Sequence, residues 1–570
     1  MNICFFSKIK KVINGRGFFV ILKEGLVSLK KQYSILADKS VQQKCMVTLL
    51  VLSIASTAFL TYAYVLGYFF TGGDTFRLID SSRIQSLKDV LGIFTLPQFG
   101  KVYFALLYRP VVSLSFSLNY YLWGLNPFGY HLTDLMLHIM ASTLVFAVMF
   151  RLTRGRKALS WLSAIIFTTH PVLVDIVPVI DRGSELLFTV FLLVSFVLFL
   201  NHVSVSTRRG NWRLLASLFA YALALGSKEL AVLLPFIICA YLFVFPSCSQ
   251  GGGGKRTSLR TEVFQQIKIC FPYFAVTAIY IVWRTYVLGG IGGYARPYSL
   301  ALLCQITVGY FSALLFLLPL DAVVGTPATA PIGSLCVFFV LFVFLFSKRK
   351  IVLINMRLLR GTQAGKISIF LFIWLLLPLG LFLATNTFFY RQMYFPVIPF
   401  SALLSITIIE GFRLFMRRAA AQQTMANTRW LPYAGAGPFI IASGLAIYLL
   451  CFFWIARADE DWKNRGELSR VLLYKLSKVV VDLRVKATSG IRIYDLPAVT
   501  PSYIHRFYGY KPFLLMTSTM DAYLHLANPD KIIEEISIEG SKVTSSLPAN
   551  IDLEATMQPN NEIIVTCKTR

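Results

Sequence analysis

Charged side chains are scarce in this sequence. They account for 14% of its 570 residues, whereas a typical soluble protein carries about 25%. Hydrophobic residues make up 56%, and the mean hydropathy is +0.65. This composition excludes a soluble globular fold for most of the chain and predicts a protein that sits in lipid.

Acidic residues are scarcer than basic ones, 27 against 55, and the formal net charge is +28. The basic residues cluster beside apolar runs, so they indicate the cytoplasmic ends of membrane spans. We therefore expect no nucleic-acid partner. The clusters lie at residues 8–31, 151–157, 208–213, 255–260, 348–360 and 413–418.

Cysteine supplies no disulfide framework. The count of nine is odd, and only Cys567 lies in the C-terminal region, which excludes a disulfide within that region. We interpret the cysteines in apolar runs as packing residues. These are Cys239, Cys270, Cys304 and Cys451.

Long apolar runs are abundant, and a helix that crosses a bilayer needs roughly 17–25 such residues. Two of them, 103–125 and 299–320, are predicted to lie in or re-enter the outer interface. Counting both as spans would give thirteen and place the basic cluster at 348–360 outside. The apolar run at 46–70 follows a long basic segment and is longer than the apolar core of a signal peptide. We therefore expect it to be a membrane span and not a cleaved signal peptide. About eleven spans are predicted, at 46–70, 130–152, 158–178, 184–203, 212–227, 229–247, 269–289, 332–347, 367–386, 393–415 and 433–456.

Three regions follow from this pattern. Residues 1–45 are predicted to form a basic cytoplasmic arm, either an amphipathic helix on the inner leaflet or a disordered segment. Residues 46–457 are predicted to form the membrane domain, whose outer segment 71–129 is too long for a simple connector. Residues 458–570 should form a soluble domain on the outer side, because the last span runs outward.

The C-terminal region changes in character. Short alternating runs separated by Gly, Pro, Asn and Ser predict strands at 491–494, 532–538, 551–556 and 563–566, after a helix at 461–481. The predicted fold class is therefore an all-α polytopic membrane domain with outer interfacial helices, followed by a small α+β extracytoplasmic domain. Its aromatic and polar residues suit either sugar stacking or ordinary packing, and they include Trp462, Tyr503, His505, Tyr508 and Tyr510.

Ionisable residues at the outer ends of spans are the informative ones, because burying charge in a membrane is costly. Asp74 follows Gly72 and Gly73 just beyond the first run, where it is either a functional carboxylate or an ordinary turn or capping residue. A second cluster surrounds the turn between the third and fourth runs. Its charges either face a ligand or pair with one another, and its members are His170, Asp175, Asp181, Arg182 and Glu185.

Two other outer span ends carry basic residues that suit a phosphate. Lys228 precedes Glu229, and Arg391 follows Tyr390. A planar guanidinium beside aromatic rings presents two aligned donors to a phosphate, which favours Arg391 over the lysine. Arg284 is a weaker candidate of the same kind.

His131, Asp134 and His138 are spaced so that they share one helical face. The two histidines would lie two turns apart, about 10 Å, which is too far for both to bind one metal ion comfortably. We therefore interpret these residues as polar groups that bond neighbouring helices. Whether a divalent metal such as Mg²⁺ or Mn²⁺ takes part elsewhere is left open.

Several motifs between residues 74 and 400 carry a family resemblance. They are Tyr108-Arg-Pro-Val-Val-Ser-Leu-Ser-Phe, Trp123-Gly-Leu-Asn-Pro-Phe-Gly-Tyr-His-Leu-Thr-Asp, Leu137-His138, His170-Pro-Val, Ser227-Lys-Glu-Leu-Ala-Val-Leu-Leu-Pro and Tyr390-Arg-Gln-Met-Tyr-Phe-Pro. In this order they resemble the GT-C-type membrane glycosyltransferases, in particular the branch of tetratricopeptide-bearing O-mannosyltransferases and their bacterial relatives. The sequence departs from that family in having one carboxylate, Asp74, where a pair is usual. It also has Arg182-Gly-Ser-Glu185 for the Gly-Arg-x-Asp turn, and no tetratricopeptide array.

The resemblance implies an inverting glycosyltransferase that moves a sugar from a polyprenyl-phosphate donor to an acceptor hydroxyl. The acceptor would be a glycan, lipid or protein at the outer (periplasmic or luminal) face of the plasma membrane, with the N-terminus of the enzyme in the cytoplasm. In this scheme Asp74 is the catalytic base. The resemblance implies that Arg391, Lys228 and Tyr390 bind the donor phosphate, and that Asp175, Glu185 and His170 orient the acceptor or a metal.

The alternative function is a polyprenyl-linked glycan flippase or other transporter, because many spans and intramembrane charges fit it equally well. The lack of an internal repeat and the long outer segment 71–129 argue against it. A non-catalytic assembly scaffold would leave the outer carboxylates without a role.

Overall fold

The computed structural model of the protein describes most of the membrane domain and parts of the C-terminal region. The described residues are 39–99, 106–204, 211–245, 259–290, 292, 300–315, 362–422, 436–482, 487–488, 490–494, 497–499, 523–524, 526, 532–533, 536–539, 542–544, 551–557 and 562–569. Contacts divide the chain into two units, Met1–Ile54 and Ala55–Arg570. All the candidate site residues lie in the second unit.

The described chain is mainly helical. Its α-helices are α1 (Lys39–Tyr62), α2 (Thr75–Ser81), α3 (Leu87–Thr95), α4 (Pro110–Trp123), α5 (Pro127–Leu152), α6 (Lys157–Thr168), α7 (Gly183–Val203), α8 (Asn211–Ser227), α9 (Leu234–Val244), α10 (Leu259–Leu288), α11 (Leu300–Leu315), α12 (Gln363–Thr385), α13 (Val397–Gln422) and α14 (Ala436–Asp482). Short 3₁₀ helices at Pro171–Asp175, Ile180–Arg182, Glu229–Leu233 and Tyr390–Tyr394 join several of them.

Five helical segments in the described chain are long and apolar enough to cross a membrane. They are Val41–Gly67, Pro127–Leu152, Ile180–Val203, Gln266–Leu288 and Gln363–Thr385. Their number, length and composition identify an integral membrane protein. The predicted span at 332–347 and the basic cluster at 348–360 lie outside the described residues.

The predicted span at 158–178 is helical over only part of its length. Helix α6 ends at Thr168, and His170 is extended at φ −63°, ψ 128°. Pro171 explains this ending, because a proline disfavours the helical conformation of the residue before it. The acidic residues that follow, Asp175 among them, therefore lie in a short irregular connection.

The described part of the outer segment 71–129 contains helices α2, α3 and α4 and the first residues of α5. Helix α3 begins with a capping box between Ser86 and Asp89. Its apolar residues Leu87, Leu91 and Phe94 fall on one face and are 78%, 60% and 40% exposed. Such a face suits the interfacial helix that was predicted for this segment.

The C-terminal region contains strands where the alternating pattern predicts them. The strands are β1 (Ala487–Thr488), β2 (Gly490–Tyr494), β3 (Pro497–Val499), β4 (Ile532–Ile533), β5 (Ile536–Glu539), β6 (Lys542–Thr544), β7 (Ile551–Met557) and β8 (Glu562–Thr569). The main sheet has the order β5-β2-β8-β7, in which β2 is parallel to both neighbours and β7 is antiparallel to β8. Two parallel pairs, β1-β4 and β3-β6, accompany it.

Candidate active site

A cavity of about 470 Å³ lies where the connection after α8, helix α10, the end of α12 and the segment Tyr390–Tyr394 meet. Of the described residues that line it, four are cationic: Arg109, Lys228, Arg284 and Arg391. Apolar and aromatic side chains make up most of the remaining wall, and they include Leu230, Val232, Tyr280, Ile281, Leu381, Phe382 and Phe389. An apolar cavity with several cationic side chains in its wall is suited to a lipid that carries a phosphate.

Arg109 and Glu229 form a two-pronged ion pair in the wall of this cavity. Arg109 donates from Nε to Oε2 of Glu229 at 3.2 Å and from Nη2 to Oε1 at 2.7 Å. The pair orients the Arg109 guanidinium, because two parallel bonds leave it little rotational freedom. Neither residue was singled out as a ligand in the sequence. Their positions in the motifs that begin at Tyr108 and Ser227 were the sequence feature that could have identified them.

Lys228 is the second predicted phosphate ligand and lines the cavity. Its ammonium group pairs with the Glu185 carboxylate, and both side chains are buried, at 3% and 1% exposure. Burial lowers the pKa of Lys228 to about 8, and the Glu185 charge opposes that decrease. An ammonium has three donors, so one can be engaged by Glu185 while others face the cavity.

Arg391, the main predicted phosphate ligand, also lines the cavity. Its guanidinium carbon lies 4.5 Å from the centroid of the Phe389 ring, a cation–π contact that fixes its position. Tyr390 is outside the described lining of the cavity, and its ring packs edge-on against Phe388 with centroids 5.2 Å apart. The structure therefore brings Arg391 and Lys228 together, with Tyr390 beside them.

Asp175 connects the acidic cluster to this cavity electrostatically. Its side chain is buried, and burial raises its pKa to about 6 even though the nearby Arg182 and Arg391 guanidinium groups lower it. A carboxyl group of this kind changes charge close to neutral pH. The Arg391 guanidinium of the cavity is thus one of the charges that act on Asp175.

His170 is placed differently from the acids of its cluster. Its Nδ1 accepts the backbone N–H of Val172 at 3.3 Å, and its Nε2 lies 3.4 Å from the carbonyl oxygen of Leu314. Its ring packs edge-on against Phe400. These contacts join the connection after α6 to helices α11 and α13. His170 therefore has a structural role in fixing this connection.

Asp74 occupies the N-cap position of α2. As far as the chain is described, its carboxylate makes no capping hydrogen bond. Its backbone N–H donates to Oδ2 of Asp181 at 3.2 Å, and Asp181 pairs with Arg182 at 3.0 Å. Gly72 is required here, because it has φ +97° and a Cβ would lie 2.6 Å from the Asp181 carboxyl carbon.

A second contact anchors the same loop. The Thr71 hydroxyl donates to the Pro178 carbonyl oxygen at 2.5 Å and lies 3.4 Å from the N–H of Ile180, which donates to it. The loop that carries Asp74 is thus fixed against the turn that carries Asp181. Asp181 and Arg182 thus pair with one another, which was one of the two alternatives for this cluster, and the pair supports the loop.

The polar face of α5 bonds neighbouring segments. His131 Nε2 lies 3.1 Å from the Phe69 carbonyl oxygen. His138 bonds the Tyr394 hydroxyl through Nδ1 at 2.9 Å and the Thr168 carbonyl oxygen through Nε2 at 3.2 Å. In the described part of the chain, no group of three or more His, Cys, Asp and Glu residues is arranged to hold a metal ion.

Comparison with known proteins supports the family resemblance. No protein-family model matches the chain. The chain is 28% identical over 186 residues to the protein O-mannosyl-transferase tmtc2 of Xenopus laevis, a match that covers 32% of this chain and 21% of that protein. It is 33% identical over 139 residues to the human protein O-mannosyl-transferase TMTC4, covering 21% of this chain and 19% of that one. The matches thus span about a fifth of the length of each relative, and the predicted resemblance to this group is confirmed.

Among solved structures, the chain is similar to the crystal structure of ArnT from Cupriavidus metallidurans bound to undecaprenyl phosphate. The TM-score is 0.41 and the sequence identity 13%, and the alignment covers 86% of this chain and 89% of that one.

Proposed function

We propose that this protein is an inverting glycosyltransferase of the GT-C type, which moves a sugar from a polyprenyl-phosphate donor to an acceptor hydroxyl. The observation that carries the proposal is the cavity in which four cations converge within an apolar wall. The relatives that share part of its sequence are named O-mannosyl-transferases. The proposed location is the outer face of the plasma membrane, with the N-terminus in the cytoplasm.

The cavity binds the donor in this proposal. Arg391 and Lys228 contact the phosphate, and Arg109 adds a third cation whose position is set by Glu229. The apolar wall accommodates the first isoprenoid units. When the sugar leaves, the phosphate keeps the bonding electrons, and cations already in place stabilise that charge without reorganisation.

Asp74 is the proposed base. Its carboxylate takes the proton of the acceptor hydroxyl while the oxygen attacks C1 of the sugar from the side opposite the phosphate, which inverts the configuration there. Asp181 and Arg182 keep its loop in place.

Asp175, Glu185 and His170 orient the acceptor in this proposal. The Arg182 and Arg391 guanidinium groups act electrostatically on Asp175, and Lys228 forms an ion pair with Glu185. Asp175 contacts the acceptor, and His170 fixes the short 3₁₀ helix Pro171–Asp175 that carries Asp175.

The proposal is tested with purified protein in lipid and a panel of polyprenyl-phosphate sugars, with lipid extracts as the source of acceptor. We expect one donor to be consumed by the wild-type protein and none by the Asp74→Asn variant. A control variant, Arg156→Met, alters a partly exposed ion pair with Glu410 and should consume donor at the wild-type rate. Equal consumption by wild-type and Asp74→Asn protein contradicts the role of Asp74, and no consumption of any donor contradicts the proposed function.

A further inference from the structure

A chain of aromatic contacts links the C-terminal region to the loop of Asp74. Phe76 lies on α2, and its ring centroid is 5.0 Å from that of Tyr523 in an edge-on contact. Phe70 continues the chain at 4.8 Å from Phe76, and Tyr130 on α5 lies 5.3 Å from Phe70. The C-terminal region thereby reaches the membrane domain through the segment that carries the proposed base.

These rings belong to one buried hydrophobic cluster. It includes Ile79 of α2 and Val112 of α4 from the outer segment, together with residues of α14, β2 and β8 from the C-terminal region. The C-terminal members are Leu472, Leu473, Leu476, Val480, Ile491, Ile493, Leu524, Leu526, Ile563 and Val565. Because the cluster is continuous, α2 is part of the core of the C-terminal module and not only a neighbour of it.

Helix α2 depends on this packing for its orientation. It has seven residues, and an isolated helix shorter than about 12 residues is marginal in water. One side of its first turn is tied to Asp181 through the N–H of Asp74, and its buried face is packed under Tyr523. Removing the second support would leave the position of Asp74 determined by the loop alone.

We propose that Tyr523 is a positioning residue for sugar transfer, acting through Phe76 to hold Asp74 against the acceptor hydroxyl. The inference rests on the proposed function of Asp74. The C-terminal module is then a support of the catalytic loop and completes the active site. Displacing a catalytic group by about 1 Å costs on the order of 100-fold in rate, so the contact carries a large share of activity.

The test compares Tyr523→Ala with Tyr523→Phe, which retains the ring. Tyr523→Ala should lower kcat by about 10- to 100-fold and leave the donor KM within about threefold, because the donor cavity does not contain Tyr523. Tyr523→Phe should restore kcat. Tyr474→Ala serves as the matched control, since that ring is 67% exposed on α14 and should be dispensable.

A double variant distinguishes positioning from general loss of stability. Phe76→Leu removes the same contact from the other side, so Phe76→Leu with Tyr523→Ala should lose no more kcat than the more damaging single change. Fully additive losses overturn the proposal. A wild-type kcat in Tyr523→Ala, or a loss that appears only in the donor KM, also overturns it.

Hydrogen exchange of the peptide 70–81 gives a readout that does not need activity. Exchange there should rise in Tyr523→Ala and stay at the wild-type level in Tyr523→Phe. If the wild-type protein transfers no sugar, the proposed function fails, whereas the exchange result still shows whether Tyr523 supports the loop. Unchanged exchange in Tyr523→Ala overturns the inference even in an active enzyme.

Discussion

The buried pair of Lys228 and Glu185 allows folding and donor binding to be separated by experiment. Both side chains are almost completely buried, so removing either one leaves a buried charge without its ion-pair partner in a medium of low polarity. Such a loss typically costs about 3–5 kcal/mol of stability. Replacing both residues with apolar groups of similar volume is often neutral. We therefore expect Glu185→Leu and Lys228→Met to be strongly destabilised and the double variant to recover most of the loss.

Donor binding should behave differently. If Lys228 contacts the phosphate, the double variant folds but lacks a charge-assisted hydrogen bond worth about 1.5–3 kcal/mol. At 1.4 kcal/mol per factor of ten, its donor KM should rise by roughly 10- to 150-fold. Thermal unfolding in detergent measures the first effect, and initial rates at varied donor concentration measure the second.

The partly exposed pair of Arg156 and Glu410 supplies the control. Its side chains are 41% and 26% exposed, so Arg156→Met should cost less than about 1 kcal/mol. It should not alter the donor KM, because neither residue lines the described cavity. A stable double variant at positions 185 and 228 with wild-type donor KM would refute the assignment of Lys228 as a phosphate ligand and leave it a purely structural role.

Three further predictions concern the base, the guanidinium and the buried acid. Asp74→Asn should reduce transfer by about 10²- to 10⁴-fold with normal melting temperature; activity within a few-fold of wild type would leave Asp74 a turn residue. Arg391→Ala should raise the donor KM and lower the rate, and Arg391→Lys should rescue only partly because it presents a point charge; wild-type kinetics for Arg391→Ala would exclude the phosphate role. Since burial raises the pKa of Asp175 from 3.8 to about 6, its contribution to stability should decrease as pH rises from about 4 to about 6, and Asp175→Asn should remove this part of the melting profile. An unchanged profile would mean that Asp175 does not titrate in this window.

Helix positions were largely predictable from the sequence, because long apolar runs have few alternatives to a membrane helix. Helix α7, Gly183–Val203, begins and ends within a residue of the run predicted at 184–203. The run at 433–456 and the helix predicted at 461–481 form one helix, α14. Neither proline nor glycine interrupts residues 457–460, so nothing in the local chemistry ends the helix there.

The arrangement of the site was less predictable. Arg391 and Lys228 were identified by their position at span ends, but the Arg109–Glu229 pair joins residues 120 positions apart. No local spacing encodes such a contact. The same holds for Lys228 with Glu185, and for the packing of Tyr523 on Phe76. A sugar-stacking role stays a prediction for four C-terminal residues that lie outside the described part of the chain. They are Tyr503, His505, Tyr508 and Tyr510.

In the proposed reaction, the sugar is transferred with inversion at C1 from a donor held in the cavity lined by Arg391 and Lys228. The most direct test is to incubate the purified protein in liposomes with a polyprenyl-phosphate sugar of known anomeric configuration and to determine the products by NMR and mass spectrometry. We predict a glycosylated acceptor of opposite anomeric configuration and one equivalent of free polyprenyl phosphate. Intact donor that moves to the other leaflet without release of polyprenyl phosphate would contradict the account and identify a transporter.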